Sequence, residues 1–222
     1  MSYYYLVFIS LLITIGAEIF VKFVYSKYSK DMCNSKLTGF EVADKILKKN
    51  KIDNIYVVET NGFLSDHFDP QNNVVRLSRG NFHGDSISSA AVTAHEIGHV
   101  IQHKENNILI KIRSAIVPFV NFCSRLSYFV ILIGLFLGYY RMFYLGAIIM
   151  LGILLFQLIT LPVEIDASKK AIKYLSELKI LNEEELSKGK IVLFAASLTY
   201  VASLANTIIQ ILRLLYMGND RD

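Results

Sequence analysis

The sequence predicts an α+β fold in which a small region of helices and a short antiparallel sheet is combined with a four-helix transmembrane bundle. Hydrophobic residues make up 53% of the 222 residues, which is more than a soluble domain of this length needs. This excess is concentrated in four blocks, each long enough to cross the membrane as a helix. The segments between them are polar, and the first alternates helical and strand-like patterns.

The four apolar blocks divide the chain. They are Tyr3 to Val21, Ala115 to Tyr139, Met142 to Val163 and Ile191 to Met217. We expect the first to be a retained anchor, because no Lys or Arg precedes its apolar run as in a signal peptide. Polar residues interrupt the fourth, and we expect them to face the interior of the bundle. The predicted regions are an N-terminal transmembrane anchor (1–25), a cytoplasmic α+β region (26–114), a tight transmembrane hairpin (115–163), a cytoplasmic helix (164–190) and a C-terminal transmembrane helix (191–222).

The polar region before residue 114 is long enough for one small α+β unit. Apolar spacing, turn residues and capping patterns predict its elements. In order, these are a helix from a capping box of Thr38 and Glu41 to near Lys49, a strand at 55–58, a hairpin of 63–68 and 74–78, and a helix beginning at Asp85 or Ser86.

This last helix carries the most informative motif of the chain, His95-Glu96-Ile97-Gly98-His99. At helical spacing His95 and His99 lie one turn apart on the same face and can clamp one Zn²⁺. Glu96 then lies beside the open position of the metal, where a carboxylate can accept a proton from water. Gly98 costs helix stability, which suggests that something must approach the backbone beside the metal. The motif predicts a zinc hydrolase with Glu96 as catalytic base.

A zinc site of this kind needs a third protein ligand. Candidates lie in residues 161–168, where the third apolar block ends and we expect an amphipathic helix to begin. Glu164 and Asp166 are two positions apart, so only one of them would face the metal. The alternative is that both carboxylates merely favour a helix N-terminus. Their position at a membrane exit flanked by Lys favours ligation by one of them.

The distribution of charge predicts the orientation in the membrane. Of 23 Lys and Arg, 13 lie between Lys22 and Arg113 and six between Lys169 and Lys190. By the positive-inside rule both segments are cytoplasmic, so the motif and residues 164–190 lie on the same side of the cell membrane. The net charge of +4 is therefore an orientation signal, and no basic patch interleaved with aromatic residues suggests nucleic acid. Cys33 and Cys123 have no ligand-like spacing, and we expect both to be inert.

Three further histidines have weaker claims to a role in the site. His103 follows His99 by one turn, which places it too far for direct ligation but leaves contacts with the ligands or the substrate open. His83 and His67 lie before the motif helix and could donate a hydrogen bond to a transition state, although a structural role is the simpler interpretation.

Together these segments resemble a known family. They are HFDPQNNVVRLS, NFHG, AAVTAHEIGHVIQH, IRSAIVPFVN, LPVEIDASKKA and AASLTYVASL, and in order and spacing they are similar to the membrane-embedded neutral zinc metallopeptidases often called YugP-like. The resemblance implies a zinc protease of the gluzincin type with His95, His99 and Glu164 as ligands and Glu96 as acid/base. In related gluzincin membrane proteases an Asp four residues after the ligand Glu braces the site. Here that residue is Ser168, which makes Asp166 the substitute candidate.

The sequence therefore predicts an integral membrane zinc endopeptidase that acts on peptides or proteins, with no prediction of its oligomeric state. The strand at 74–78 is expected to offer an edge to an extended substrate. The alternative is a catalytically silent membrane scaffold or adaptor with a structural zinc site, which would have no use for Glu96. A transporter would need charged residues deep in several spans, where only Arg125 and Arg213 occur.

Overall fold

The computed structural model describes residues 2–219 and divides into two compact units, which we describe separately. The helical unit comprises Met1–Ile19, Ile108–Pro162 and Leu198–Asp222, and the mixed unit comprises Phe20–Asn107 and Val163–Ser197. Arg221, one of the few basic residues outside the two basic segments, lies beyond the described residues. The elements are α1 (Ser2–Tyr28), α2 (Gly39–Lys49), β1 (Tyr56–Thr60), β2 (His67–Asp69), β3 (Val74–Ser78), α3 (Arg79–Phe82), α4 (Ile87–Lys104), α5 (Ile108–Leu137), α6 (Arg141–Glu177) and α7 (Glu183–Asn219).

Four helices, α1, α5, α6 and α7, are long and apolar enough to cross a membrane. Only three residues separate α5 from α6, and Gly138 adopts a φ of 67° there, a conformation that glycine reaches without strain. The turn is as tight as the predicted transmembrane hairpin requires. Large apolar side chains such as Phe8 and Phe136 are exposed on these helices, as expected for surfaces that face lipid.

Polar residues of α7 face other helices of the helical unit, as the sequence predicts. The Ser10 hydroxyl donates a hydrogen bond to Asn206, and the Gln157 amide donates to the Ser203 hydroxyl over 2.9 Å. Thr207 is buried. Such contacts satisfy polar groups that would otherwise face hydrocarbon.

In the mixed unit, local capping sets the helix boundaries. Thr38 and Glu41 form the predicted capping box, in which each side chain accepts a hydrogen bond from the backbone N–H of the other. Ser86 caps α4 by accepting from the N–H of Ser89. The core of the unit gathers apolar residues from α2, β3 and α4, including the fully buried Ile46, Leu77 and Ile97.

The sheet differs from the predicted antiparallel one. Its strand order is β1-β3-β2, with β3 antiparallel to β2 but parallel to β1. The pairing of β2 with β3 confirms the β-hairpin. β1 does not pair with its sequence neighbour β2, because β3 lies between them in the sheet. Since β3 has a partner on each side, the prediction that residues 74–78 offer a free edge is wrong. Val75 and Leu77, two residues apart, lie on the same face of β3 and are both buried in the core.

No new helix begins at residues 161–168. The helix α6 runs without interruption from Arg141 through Pro162 to Glu177, and residues 164–190 form the end of α6, a turn and the start of α7. A continuous helix is possible because Pro162 removes only one donor from a long hydrogen-bonded segment. Glu164 and Asp166 therefore lie in a helix interior, and the helix-dipole explanation for their presence does not apply.

Both cysteines are buried and free. Cys33 is 2% exposed, and its burial, together with the nearby charges of Glu185 and Asp85, raises the pKa of its thiol to about 12. A thiol that stays protonated is a poor nucleophile and a poor metal ligand. The environment of Cys33 agrees with the expectation that it is inert.

Candidate metal centre

Helix α4 presents the two motif histidines side by side. His95 and His99 lie one turn apart, with ring centroids separated by 4.8 Å and ring planes nearly perpendicular at 83°. The helix is buried along most of its length, so both rings are held in a packed environment. His99 is buried, and His95 keeps 14% of its side chain exposed.

Helix α6 brings Glu164 to these rings because it packs unusually close to α4. A Cβ added at Gly98 would lie 2.6 Å from the carbonyl oxygen of Ala167, a distance that real Cβ atoms do not tolerate. The need for glycine at position 98 is thus explained by the close approach of the α6 backbone. Three residues before Ala167, Glu164 is 1% exposed, and its Oε2 lies 3.2 Å from Nε2 of His95 and 3.5 Å from Nε2 of His99.

The three side chains fit a zinc ion. One nitrogen from each of His95 and His99 and one oxygen of Glu164 all lie within 4.8 Å of one another. Ligand atoms about 2.0 to 2.2 Å from one tetrahedral zinc would be about 3.3 Å apart, which is close to both histidine–carboxylate distances. Two imidazoles and one carboxylate are also a donor set that zinc favours in catalytic sites.

Glu96 lies between the two histidines in sequence and is 8% exposed. Within the described residues its carboxylate has no hydrogen bond or ion pair. Because no protein group among those residues occupies it, the Glu96 carboxylate is available to a water or a substrate group beside His95.

A layer of polar residues surrounds the histidines. Nδ1 of His99 lies 3.0 Å from Oε1 of Gln102, whose amide nitrogen donates to Val163 O and to Asp166 Oδ2, each over 2.8 Å. The hydroxyl of Ser168 lies 3.2 Å from Nδ1 of His95. Asp166 thus reaches His99 through Gln102, and Ser168 occupies the position where related proteases carry the bracing Asp.

Sequence reasoning missed Gln102. The only signal was its position three residues after His99, which places both on one side of the helix. Its other contacts are made to α6, about 60 residues further along the chain, and no local spacing encodes them. Ser168 was recognised as a departure from the family pattern, but its contact with His95 was not expected.

The structure places the remaining candidate histidines in other contacts. His103 packs edge-on against Phe68 of β2, with ring centroids 5.8 Å apart. Nε2 of His83 lies 2.7 Å from the carboxylate of Glu59 on β1. The ring of His67 bonds through Nδ1 to the backbone oxygen of Ser65 over 2.8 Å. None of the three is among the residues that the structure groups with Glu164.

The fold and the site define a class of protein: a membrane protein with four candidate spans and a cluster of two histidines and one glutamate that can hold a metal ion. Comparison with known proteins specifies the class further. The model of a family described as "Putative neutral zinc metallopeptidase" matches residues 3–219. The chain belongs to this family, which confirms the resemblance seen in the sequence.

One curated relative spans the whole chain. It is the "Putative membrane protease YugP" of Bacillus subtilis (strain 168), which is 40% identical over 224 residues, an alignment that covers 100% of this chain and 99% of the relative. No solved structure matches the chain significantly.

Proposed function

We propose that the protein is an integral membrane zinc endopeptidase of the gluzincin type, with His95, His99 and Glu164 as the zinc ligands and Glu96 as the general base. The observation that carries this proposal is the convergence of the two histidines of α4 with a buried carboxylate of α6. Glu96, whose carboxylate has no protein partner within residues 2–219, lies next to His95 in the same helix. The family membership of the chain supports the same conclusion.

The chemistry that Zn²⁺ supplies when bound is Lewis acidity, which polarises a scissile carbonyl and lowers the pKa of water from about 15.7 to about 7. The protein supplies the remaining parts. The side chains of His95, His99 and Glu164 would hold the ion. Glu96 accepts the proton of the attacking water and passes it to the leaving amine, a contribution typically worth about 10²- to 10⁴-fold in rate.

A silent membrane scaffold with a structural zinc site is the alternative. A structural site normally has four protein ligands and no open position. Here the structure groups three candidate ligands among the described residues, and the fourth position would be left to water. The buried Glu96 has no purpose in a structural site and a clear one in hydrolysis, so we favour the enzyme.

We propose that an extended substrate pairs with β2 rather than with the central strand. In the described sheet only β1 and β2 are outer strands, and Phe68 of β2 packs against His103, one turn beyond His99. Backbone pairing with such an edge is a common way to hold a peptide. From the distribution of Lys and Arg we propose that the active site faces the cytoplasm.

The test uses the purified full-length protein in detergent or lipid nanodiscs, with zinc content measured by mass spectrometry and hydrolysis followed on unstructured peptides. We expect His95→Ala and His99→Ala to lose zinc and activity. Glu96→Gln should retain zinc and lose at least about 10²-fold in rate. Glu177→Gln, an exposed substitution of the same chemistry on α6, serves as the matched control and should behave as wild type. Equal zinc content in all variants would contradict the ligand assignment, and full activity of Glu96→Gln would contradict the role of the base.

A further inference from the structure

The hydrogen bonds of the Gln102 side chain fix the orientation of its amide group. The side chain is fully buried, and its nitrogen lies 2.8 Å from both Val163 O and Asp166 Oδ2. A backbone carbonyl and a carboxylate can only accept hydrogen bonds. Both N–H groups of the amide are therefore committed, and the carbonyl oxygen Oε1 must face Nδ1 of His99 at 3.0 Å.

An acceptor at that position determines the tautomer of His99. A neutral imidazole carries its proton on one nitrogen and a lone pair on the other. Because Oε1 of Gln102 can only accept, Nδ1 must carry the proton and donate it. In the neutral ring the lone pair then lies on Nε2, the nitrogen that is 3.5 Å from Glu164 Oε2. A lone pair and a carboxylate this close repel each other unless a metal ion or a proton lies between them.

The Nδ1 atom of His95 lacks an equivalent constraint. It faces the hydroxyl of Ser168 at 3.2 Å, and a hydroxyl can either donate or accept. The Ser168 contact is therefore compatible with both tautomers of His95. Of the two candidate ligands, only His99 has a neighbour that fixes the proton on Nδ1 and so leaves Nε2 as the nitrogen that can bind a metal.

We propose that Gln102 is a positioning residue that holds His99 in the Nδ1–H tautomer and so directs an unprotonated Nε2 toward the metal, with Asp166 and the Val163 carbonyl fixing the orientation of the Gln102 amide. This proposal rests on the proposed function only in taking His99 as a ligand. The proton on Nδ1 of His99 is fixed by Gln102 and can be observed in the metal-free protein.

The experiment measures that tautomer directly. Full-length protein labelled with ¹⁵N-histidine is stripped of metal with a chelator and studied by long-range ¹⁵N–¹H correlation, which shows whether each ring nitrogen carries a proton. The His99 signals are assigned from their absence in His99→Gln. We expect Nδ1 to be protonated in the wild type. Gln102→Met, which keeps the volume but removes the acceptor, should shift His99 toward the Nε2–H form and weaken zinc binding by about 10- to 100-fold.

Ser168→Ala is the matched control, since it removes a contact with the other histidine. It should leave the His99 tautomer unchanged. An Nε2–H tautomer in the wild type would overturn the proposal, as would a Gln102→Met protein with an unchanged tautomer. The wild-type measurement stands even if Gln102→Met fails to fold. Peptide hydrolysis by a protein whose His99 is Nε2–H would refute this inference alone, whereas an Nδ1–H tautomer in a protein that neither binds zinc nor cleaves peptides would support it and refute the proposed function.

Discussion

At the scale of single residues, the two carboxylates of the α6 motif differ in what each one touches. Glu164 is buried against the Nε2 atoms of His95 and His99. Asp166 is partly exposed and contacts the Gln102 amide and, at 3.8 Å, the ammonium of Lys170. Glu164 is thus placed to bond a metal directly, whereas Asp166 acts on the site through Gln102.

This difference predicts opposite outcomes for two alanine substitutions. We expect Glu164→Ala to release zinc at moderate chelator concentrations, because one of three protein ligands is lost. Asp166→Ala should retain zinc with affinity or activity reduced by about 10- to 100-fold, since the Val163 carbonyl still orients the amide. Competition with a chromophoric chelator measures both. If Asp166→Ala loses zinc and Glu164→Ala retains it, the roles assigned to the two carboxylates must be reversed.

At the scale of elements, the contact of α4 with α6 determines where the third donor lies. Gly98 allows the two backbones to approach, because any side chain at this position would meet the carbonyl of Ala167. Ala167 is itself fully buried and small. The position of Glu164 relative to the two histidines therefore depends on the absence of a Cβ one residue before His99.

Gly98→Ala is expected to weaken zinc binding even though alanine favours helices. Separating the two helices costs about 1 to 3 kcal/mol by analogy with overpacked cores, which exceeds the gain of about 1 kcal/mol in helix propensity. Gly16→Ala is the matched control, since a Cβ there meets nothing within 4 Å and the substitution should be neutral or stabilising. Zinc affinity and thermal unfolding test the pair, and a Gly98→Ala protein as tight-binding as wild type would contradict the close-approach argument.

Elements defined by local chemistry could be predicted from the sequence, and those defined by distant pairing could not. The capping residues Thr38 and Ser86 act within one helical turn, so the starts of α2 and α4 can be predicted from the local sequence. The parallel pairing of β1 with β3 joins strands that have another strand between them in sequence. The alternation of apolar and polar residues predicts a strand but not the strand with which it pairs. Gln102 escaped detection for the same reason, since its partners lie on α6.

At the scale of the whole molecule, the distribution of charge makes a prediction about topology. On a background with Cys33 and Cys123 replaced, Lys51→Cys should resist an impermeant thiol reagent in intact cells, because its segment carries 13 of the 23 basic residues. Tyr139→Cys, at the exposed turn between α5 and α6, should be labelled. Permeabilised cells, in which both sites should react, provide the control. If Lys51→Cys is labelled in intact cells and Tyr139→Cys is not, the orientation of the protein in the membrane is opposite to the predicted one.

The separation of the ligands along the chain has a consequence for biosynthesis. Two donors come from residues 95 and 99, and the third comes from residue 164 on the other side of the α5–α6 hairpin. A nascent chain that has not yet emerged as far as α6 carries only the two imidazoles, which are too few to hold the ion as the finished site would. Under the proposed function, proteolytic competence would then arise only after the hairpin has been made, and an unfinished chain on the ribosome would have no means of cleaving itself or its neighbours.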